Sequence, residues 1–396
     1  MKKFASVLCG LGMVAGVGLS APAGAAESDP QEPYTYDVIT MTTDDPRAQA
    51  VLAELDAQVP GWRAKVQAAR EAAPAEQPVL EAVNRAINPD DYVCGATALD
   101  AYVDEILTGV DEWTFFLLAI LGALEMPTYD ALLYGTQGDP DYALPGDAKA
   151  LNKAFSKLKK FWTIPSADIQ LIGMHGEMLA DRDRLTRIIS VFYGTDAADS
   201  AEIADLITEM IASEPELEGG ENPIFTLNAF AFSAEEINEP LFEGVPDKIV
   251  MGEGIIDAVN WMGLGTAGSE AILAHEFAHH VQFEAGLIEA DLPEPEATRR
   301  VELMADAFAS YSAAHRTGLN LRKDTILKVQ ASFYNVGDCQ FDSPGHHGTP
   351  NQRLAAATWG ADLAIKAQKQ GHKVSISTLS DKFEAHLPIL VAPDAP

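Results

Sequence analysis

The run His275-Glu276-Phe277-Ala278-His279 decides how the rest of this chain is read. On an α-helix, positions i and i+4 lie one above the other, so the two imidazoles can close on a single metal ion. Glu276 projects about 100° away round the helix axis. From there it reaches a water on such an ion without being a ligand. Two ligands and a general base form the H-E-x-x-H arrangement of a zinc hydrolase. The bland alternative is an amphipathic helix with two exposed histidines, and the flanking sequence has to decide.

Working outward, Ser269 is a candidate N-cap and Glu270 falls in the first turn. Ile272, Leu273, Phe277, Ala278 and Val281 recur at helical spacing, and Gly286 supplies a stop. No proline interrupts residues 269–285. The motif therefore lies on a predicted helix with enough apolar surface to be held in a core. His280 points about 100° from His279 and reads as a neighbour on the surface or behind the ligands, not as a ligand.

A catalytic zinc ion usually takes three protein ligands and keeps one position open. Beyond an acidic, proline-containing loop (Glu289, Asp291, Pro293, Glu294, Pro295) a second predicted helix reads Glu302-Leu303-Met304-Ala305-Asp306-Ala307-Phe308-Ala309. Glu302, Ala305, Asp306, Ala309 and Ala313 share one face, whose small residues let another helix approach closely. Glu302 is the candidate third ligand. Asp306 is the candidate acceptor that fixes the tautomer of a ligating histidine. A solvated acidic face is the alternative. A third block, His347-Gly348-Thr349-Pro350-Asn351-Gln352-Arg353, predicts a helix start with Thr349 as N-cap and Pro350 at N1.

Together the three blocks resemble the gluzincin metallopeptidases, particularly the bacterial neutral zinc metallopeptidases with their H-E-x-x-H, E-L-x-A-D and H-G-T-x-x-Q-R segments. The resemblance implies an α+β, mostly helical fold: a zincin-like metallopeptidase core with a small β-sheet. It implies one catalytic Zn2+ on His275, His279 and Glu302, with Glu276 as base. The chain is similar, more distantly, to the M48 peptidases, and that likeness implies His347 and Arg353 near the oxyanion, His346 competing with His347 for that place. For this block a structural cap with a buried arginine is the alternative. Upstream, Ile224 to Phe232 is β-rich, and Asn228-Ala229-Phe230-Ala231 looks like the strand preceding the zinc helix in these peptidases. Asp247 to Ile256 reads as a second strand whose glycines suit close backbone approach. Since zincins bind peptide by adding it to an edge strand, this segment is the candidate edge. The resemblance spans roughly residues 222–365.

The N-terminus reads as an export signal. Lys2 and Lys3 precede an apolar Phe4–Leu19 stretch, and Ala23-Gly24-Ala25 forms an A-x-A site, so residues 1–25 are a predicted signal peptide cleaved after Ala25 or Ala26. An uncleaved anchor is the alternative. The expected location is periplasmic or secreted, with no membrane span after signal removal. Trp113–Met126, the most apolar later run, is too short to span and reads as a core helix. Cys94 and Cys339 then remain, and an oxidising compartment suggests a disulfide between them; two buried thiols are the alternative. Formal net charge is −32, and loss of the two lysines makes it more negative still. Nucleic acid and anionic membrane surfaces are therefore disfavoured as partners, while the metallopeptidase resemblance implies a peptide or protein substrate.

Residues 27–215 read as a mainly helical N-terminal region and 222–390 as the metallopeptidase domain, with Glu214–Asn222 between them. Helical periodicity covers Ala48–Ala72, Thr97–Leu124, Lys149–Trp162, Asp168–Tyr193 and Ser200–Ile211, and Tyr34–Thr42 reads as a strand. His175 lacks a partner at ligand spacing. No G-x-S-x-G or P-loop is present, which removes serine hydrolase and nucleotidase chemistry. The sequence thus points to an exported zinc metalloendopeptidase. Its rivals are a catalytically silent, zinc-stabilised binding or chaperone-like protein and a non-peptide amidohydrolase.

Overall fold

The computed structural model describes residues 92–234, 240–338 and 346–394, together with Cys9–Gly10 and a few isolated N-terminal positions. In chain order the elements are β1 (Cys9–Gly10), α1 (Ala98–Ile106), α2 (Glu112–Ile120), α3 (Met126–Tyr134), α4 (Ala148–Phe161) and β2 (Gln170–Met174). They continue with α5 (Arg182–Tyr193), α6 (Ala197–Ser213), β3 (Ala229–Phe232), β4 (Lys248–Gly252) and α7 (Glu253–Trp261). Then follow α8 (Gly265–Ala285), α9 (Glu294–Ala314), α10 (Lys323–Asn335), α11 (Pro350–Lys369) and α12 (Ile376–Leu390). The fold is mostly helical with one small sheet.

That sheet is ordered β1-β3-β4-β2. β2 runs parallel to β4, with Gln170 opposite Lys248, and β3 runs antiparallel to β4, with Phe230 opposite Val250. Ala229–Phe232 and Lys248–Gly252 are buried along their whole length, as expected of apolar strands covered on both faces. Cys9–Gly10 adds a two-residue antiparallel rung on the outer edge of β3, Cys9 opposite Ala231. β4 is therefore an interior strand, between β3 and β2, and Asp247–Ile256 is not the edge strand expected there.

Four other expectations change with the observed backbone. The helix expected over Asp168–Tyr193 divides into β2 and α5, because Gln170–Met174 has a partner strand in β4 that periodicity alone does not reveal. The strand expected over Asp247–Ile256 ends at Gly252, where α7 begins. A Cβ at Gly252 would lie 2.1 Å from the Thr226 carbonyl oxygen, so only glycine allows this strand-to-helix corner. Thr97–Leu124 breaks into α1 and α2 around Gly109, whose φ of +91° no helix accommodates. Pro223–Thr226 is a short 3-10 turn, which leaves only Ala229–Phe232 of the β-rich run as strand. Ala48–Ala72, Tyr34–Thr42 and the signal-peptide stretch lie essentially outside the described residues.

Residues on both sides of the Glu214–Asn222 stretch share this sheet. One apolar cluster runs from Leu99 in α1 through Leu171, Val250, Phe277 and Phe308 to Leu390. Among the described residues no helix is long and apolar enough to cross a membrane. The expected Cys94–Cys339 disulfide is corrected: among the described residues no two cysteines stand at bonding distance, Cys339 lying outside them.

Candidate metal centre

α8 carries the His275–His279 motif through the middle of the molecule. It begins one turn before Ser269, without a side-chain cap, and ends at Gly286 in the left-handed conformation. From Gly268 to Phe283 every residue but Glu270 is buried, because α4, α7, α9, α10 and β3 all pack against this helix. The motif thus sits on a helix enclosed on all sides, not on an amphipathic surface helix. His275, Glu276, His279, His280 and Gln282 are polar groups in a core, and each needs a partner.

The structure brings the three sequence-predicted ligands together. His275 Nε2 lies 3.0 Å from His279 Nε2 and 3.1 Å from Glu302 Oε2. His279 Nε2 is 3.4 Å from Glu302 Oε1. All three ligand atoms fall within 4.8 Å of one another and are buried. Glu302 comes from α9, which packs along α8.

The outer nitrogens decide what the inner ones offer. His275 Nδ1 is 2.9 Å from Asp306 Oδ1, one turn on from Glu302. The pair is at ion-pair distance without hydrogen-bond alignment, and because a carboxylate only accepts, the contact favours a hydrogen on Nδ1. His279 Nδ1 is 2.8 Å from Gln282 Oε1, which likewise only accepts. A neutral imidazole protonated at Nδ1 presents a lone pair at Nε2. Two lone pairs and a carboxylate oxygen therefore converge on one point, an arrangement that repels itself until a proton or a cation stands among them.

Charge makes the same demand. The buried carboxylates Glu276, Glu302 and Asp306 face one buried guanidinium, Arg353. With neutral histidines and all three carboxyls ionised the cluster would have two negative charges to spare, which a divalent ion would cancel. Without one, protons take its place. Burial alone lowers His275, but Asp306 and Glu302 outweigh it and push the imidazole up to about 10. Burial pulls His279 down to about 3 against the attraction of Glu302. Burial raises Glu302, yet His279 and His275 hold it well below the usual carboxylate range. Two imidazole nitrogens and a carboxylate are a donor set that fits zinc.

Glu276 is fully buried, and neither of its oxygens makes a full hydrogen bond, although the backbone N–H of Ala231 on β3 faces it. Burial drives its carboxyl well above the usual range, with His275 opposing. A buried carboxyl without a settled partner is a feature of functional sites more than of structural ones.

Arg353 is placed differently from the oxyanion position suggested for it. It is fully buried, its Nε and one Nη each 2.8 Å from an Asp306 oxygen, the other Nη 3.2 Å from the Val336 carbonyl. Two of its three nitrogens thus hold Asp306 beside His275, and the third is taken by the Val336 carbonyl, with Glu302 3.6 Å away. His346 and His347 share one carboxylate. Asp338 Oδ1 lies 2.6 Å from His346 Nδ1, and Oδ2 lies 2.9 Å from His347 Nδ1 and accepts from its backbone N–H. Burial lowers His347, but Asp338 and then Glu302 outweigh it and raise the imidazole, which places this side chain within the field of the ligand set. Thr349 caps α11 with a complete capping box to Gln352, as its sequence predicts.

His280 is buried, Nε2 2.9 Å from the Lys248 carbonyl, so it fastens α8 to β4 and is not a surface group. His175 pairs with Glu253 at 3.1 Å and with the Ala143 carbonyl at 2.7 Å, away from the ligands. Two residues of the site escaped the sequence reading. Gln282 follows His279 at i+3, a spacing that could have flagged it. Asp338 stands in a loop nine residues before His347, where no periodicity points to it.

No protein-family model, no curated protein and no solved structure matches the chain. What the centre does has to be decided by its residues.

Proposed function

We propose that this chain is an exported zinc-dependent metalloendopeptidase of gluzincin type, acting on peptide or protein substrates. The observation that carries the reading is the convergence of His275 Nε2, His279 Nε2 and a Glu302 oxygen, all proton acceptors, beside the unsatisfied carboxyl of Glu276. Zinc, when bound there, supplies Lewis-acid polarisation of a water and of the scissile carbonyl. Glu276 takes a proton from the attacking water as the new C–O bond forms. It passes that proton to the amine nitrogen as the C–N bond breaks. His347, clamped by Asp338, supplies an N–H for the carbonyl oxygen as it gains charge. Asp306 and Arg353 keep His275 in its ligating tautomer.

The outer edge of β3 is the place for an extended substrate, since loss of the leader would vacate the edge that Cys9–Gly10 occupies and Ala231 faces Glu276. Asn228, at the foot of that strand, holds a buried Oδ1 without a partner, an acceptor for an incoming peptide N–H. Export rests on the leader read in residues 1–25. A mature N-terminus at Ala26 or Glu27 on N-terminal sequencing would support it.

The deciding experiment is metal analysis of the purified protein, joined to cleavage of an unfolded protein substrate with and without chelator. Glu276→Gln should keep zinc and lose about 10²–10⁴-fold in turnover. Undiminished proteolysis by zinc-loaded Glu276→Gln sinks the peptidase reading. A zinc-loaded wild type that binds unfolded protein without cutting it points instead to the silent binding protein.

A further inference from the structure

We infer that Gln282 is a positioning residue that locks the second metal ligand to the third; the inference rests on the metal site described above. Its side chain is fully buried, and both ends of the amide are used. Nε2 donates to the Val301 carbonyl at 2.8 Å. A carbonyl accepts and never donates, so the amide can face only one way, with Oε1 toward His279 Nδ1 at 2.8 Å. That orientation fixes the hydrogen on Nδ1 and turns the Nε2 lone pair inward.

The Val301 carbonyl belongs to the peptide bond that carries Glu302. One uncharged side chain on α8 therefore sets the tautomer of His279 and ties that residue to the backbone of the third ligand on α9. His275 has its own lock in Asp306 and Arg353. His279 Nδ1 bonds to Gln282 and to no other described group. Removing the acceptor frees the ring to rotate or to move its proton to Nε2, and either change takes the lone pair away from the centre.

The test compares Gln282→Met with Gln282→Glu by zinc competition against a chromophoric chelator and by the visible spectrum of the Co2+-loaded protein. Both variants lose the donation to Val301, but the glutamate keeps an acceptor for His279. The methionine variant should bind zinc about 10–100-fold more weakly, with an altered Co2+ spectrum, while the glutamate variant stays within about threefold of wild type. A merely structural tie between α8 and α9 would weaken both variants alike, and that result overturns the inference. So does a folded Gln282→Met that binds zinc as wild type does. His275→Ala serves as the reference for a broken site. If wild type binds no better than His275→Ala, the metal-site reading itself has failed, an outcome distinct from a wild type that binds and is matched by Gln282→Met.

Discussion

Replacing Arg353 by methionine removes a guanidinium and keeps most of its apolar stem. The pair it makes with Asp306 is fully buried on both sides, with two parallel bonds of 2.8 Å. Burial alone would lower the arginine, yet Asp306 and Glu302 hold it above its ordinary value. Taking away one partner leaves the other charge in the core. Asp306 would then face only His275, with Glu302 adding a like charge one turn away. Breaking a buried pair in this way costs about 3–5 kcal/mol. For a chain of this size that is a fall in melting temperature of about 4–6 °C. The assay is urea unfolding of the metal-free protein, run as a cycle with Asp306→Asn and the double variant. Because Asp306→Asn removes the stranded charge, the double variant should lose less than the sum of the two singles, by about 1–3 kcal/mol. Additive losses, or an Arg353→Met variant within about 1 kcal/mol of wild type, would refute the reasoning, since a satisfied buried pair cannot be both isolated and cheap to break.

Lys248 on β4 is buried, and its amine donates to the carbonyls of Ala131, Leu132 and Gly135 at 3.2, 2.5 and 2.6 Å. Burial pulls that amine from its ordinary 10.5 down to about 8, with Asp130 opposing. Between those values the folded chain has released a proton that the unfolded chain keeps, so this group makes stability rise with pH across the window. Lys248→Met should flatten that part of the plot of urea midpoint against pH, and an unchanged slope would count against the shift. Gly360 in α11 faces α9 so closely that a Cβ would lie 2.0 Å from the Ala307 carbonyl oxygen. Gly360→Ala should therefore cost about 1–3 kcal/mol and weaken zinc binding together, as read by urea unfolding and equilibrium dialysis; wild-type values in both would contradict it.

The ligand set was legible because it lies on two helices, where sequence spacing is geometry. His275 and His279 at i+4, and Glu302 and Asp306 one turn apart, have few ways to be arranged once α8 and α9 pack together. The N-cap at Thr349 was legible for the same local reason. What sequence could not supply is anything fixed by long-range contact. β2 needs β4, 78 residues later, to be a strand at all, since Gln170 pairs with Lys248. Whether β3 or β4 is the outer strand depends on sheet order, which no periodicity encodes. Arg353 was placed near the right helix start but given the wrong task, because the direction of a long side chain is set by its partner, here Asp306 on another helix. Asp338 was missed since a loop carboxylate gains meaning only when two histidines close on it.

Helix approach and ligand geometry are one problem in this fold. α9 and α11 pack against each other, Gly360 meeting the Ala307 backbone, and Ala356, Ala357, Gly360 and Ala364 of α11 are all buried. Small residues at a helix crossing bring the axes together, and Gly360 against the Ala307 backbone marks the tightest point. Ala307 adjoins Asp306, and Gly360 is two turns on from Arg353, so the spacing at that contact sets whether the arginine reaches the aspartate. A bidentate pair at 2.8 Å tolerates a few tenths of an ångström, whereas one added methyl at position 360 demands more. The run of alanines is poor in apolar area per residue, and the bulk is made up nearby by Phe308, Tyr311, Phe161 and Trp162, stacked and tilted against one another. Small side chains between α9 and α11 keep the two axes close enough for Arg353 to hold Asp306 behind His275.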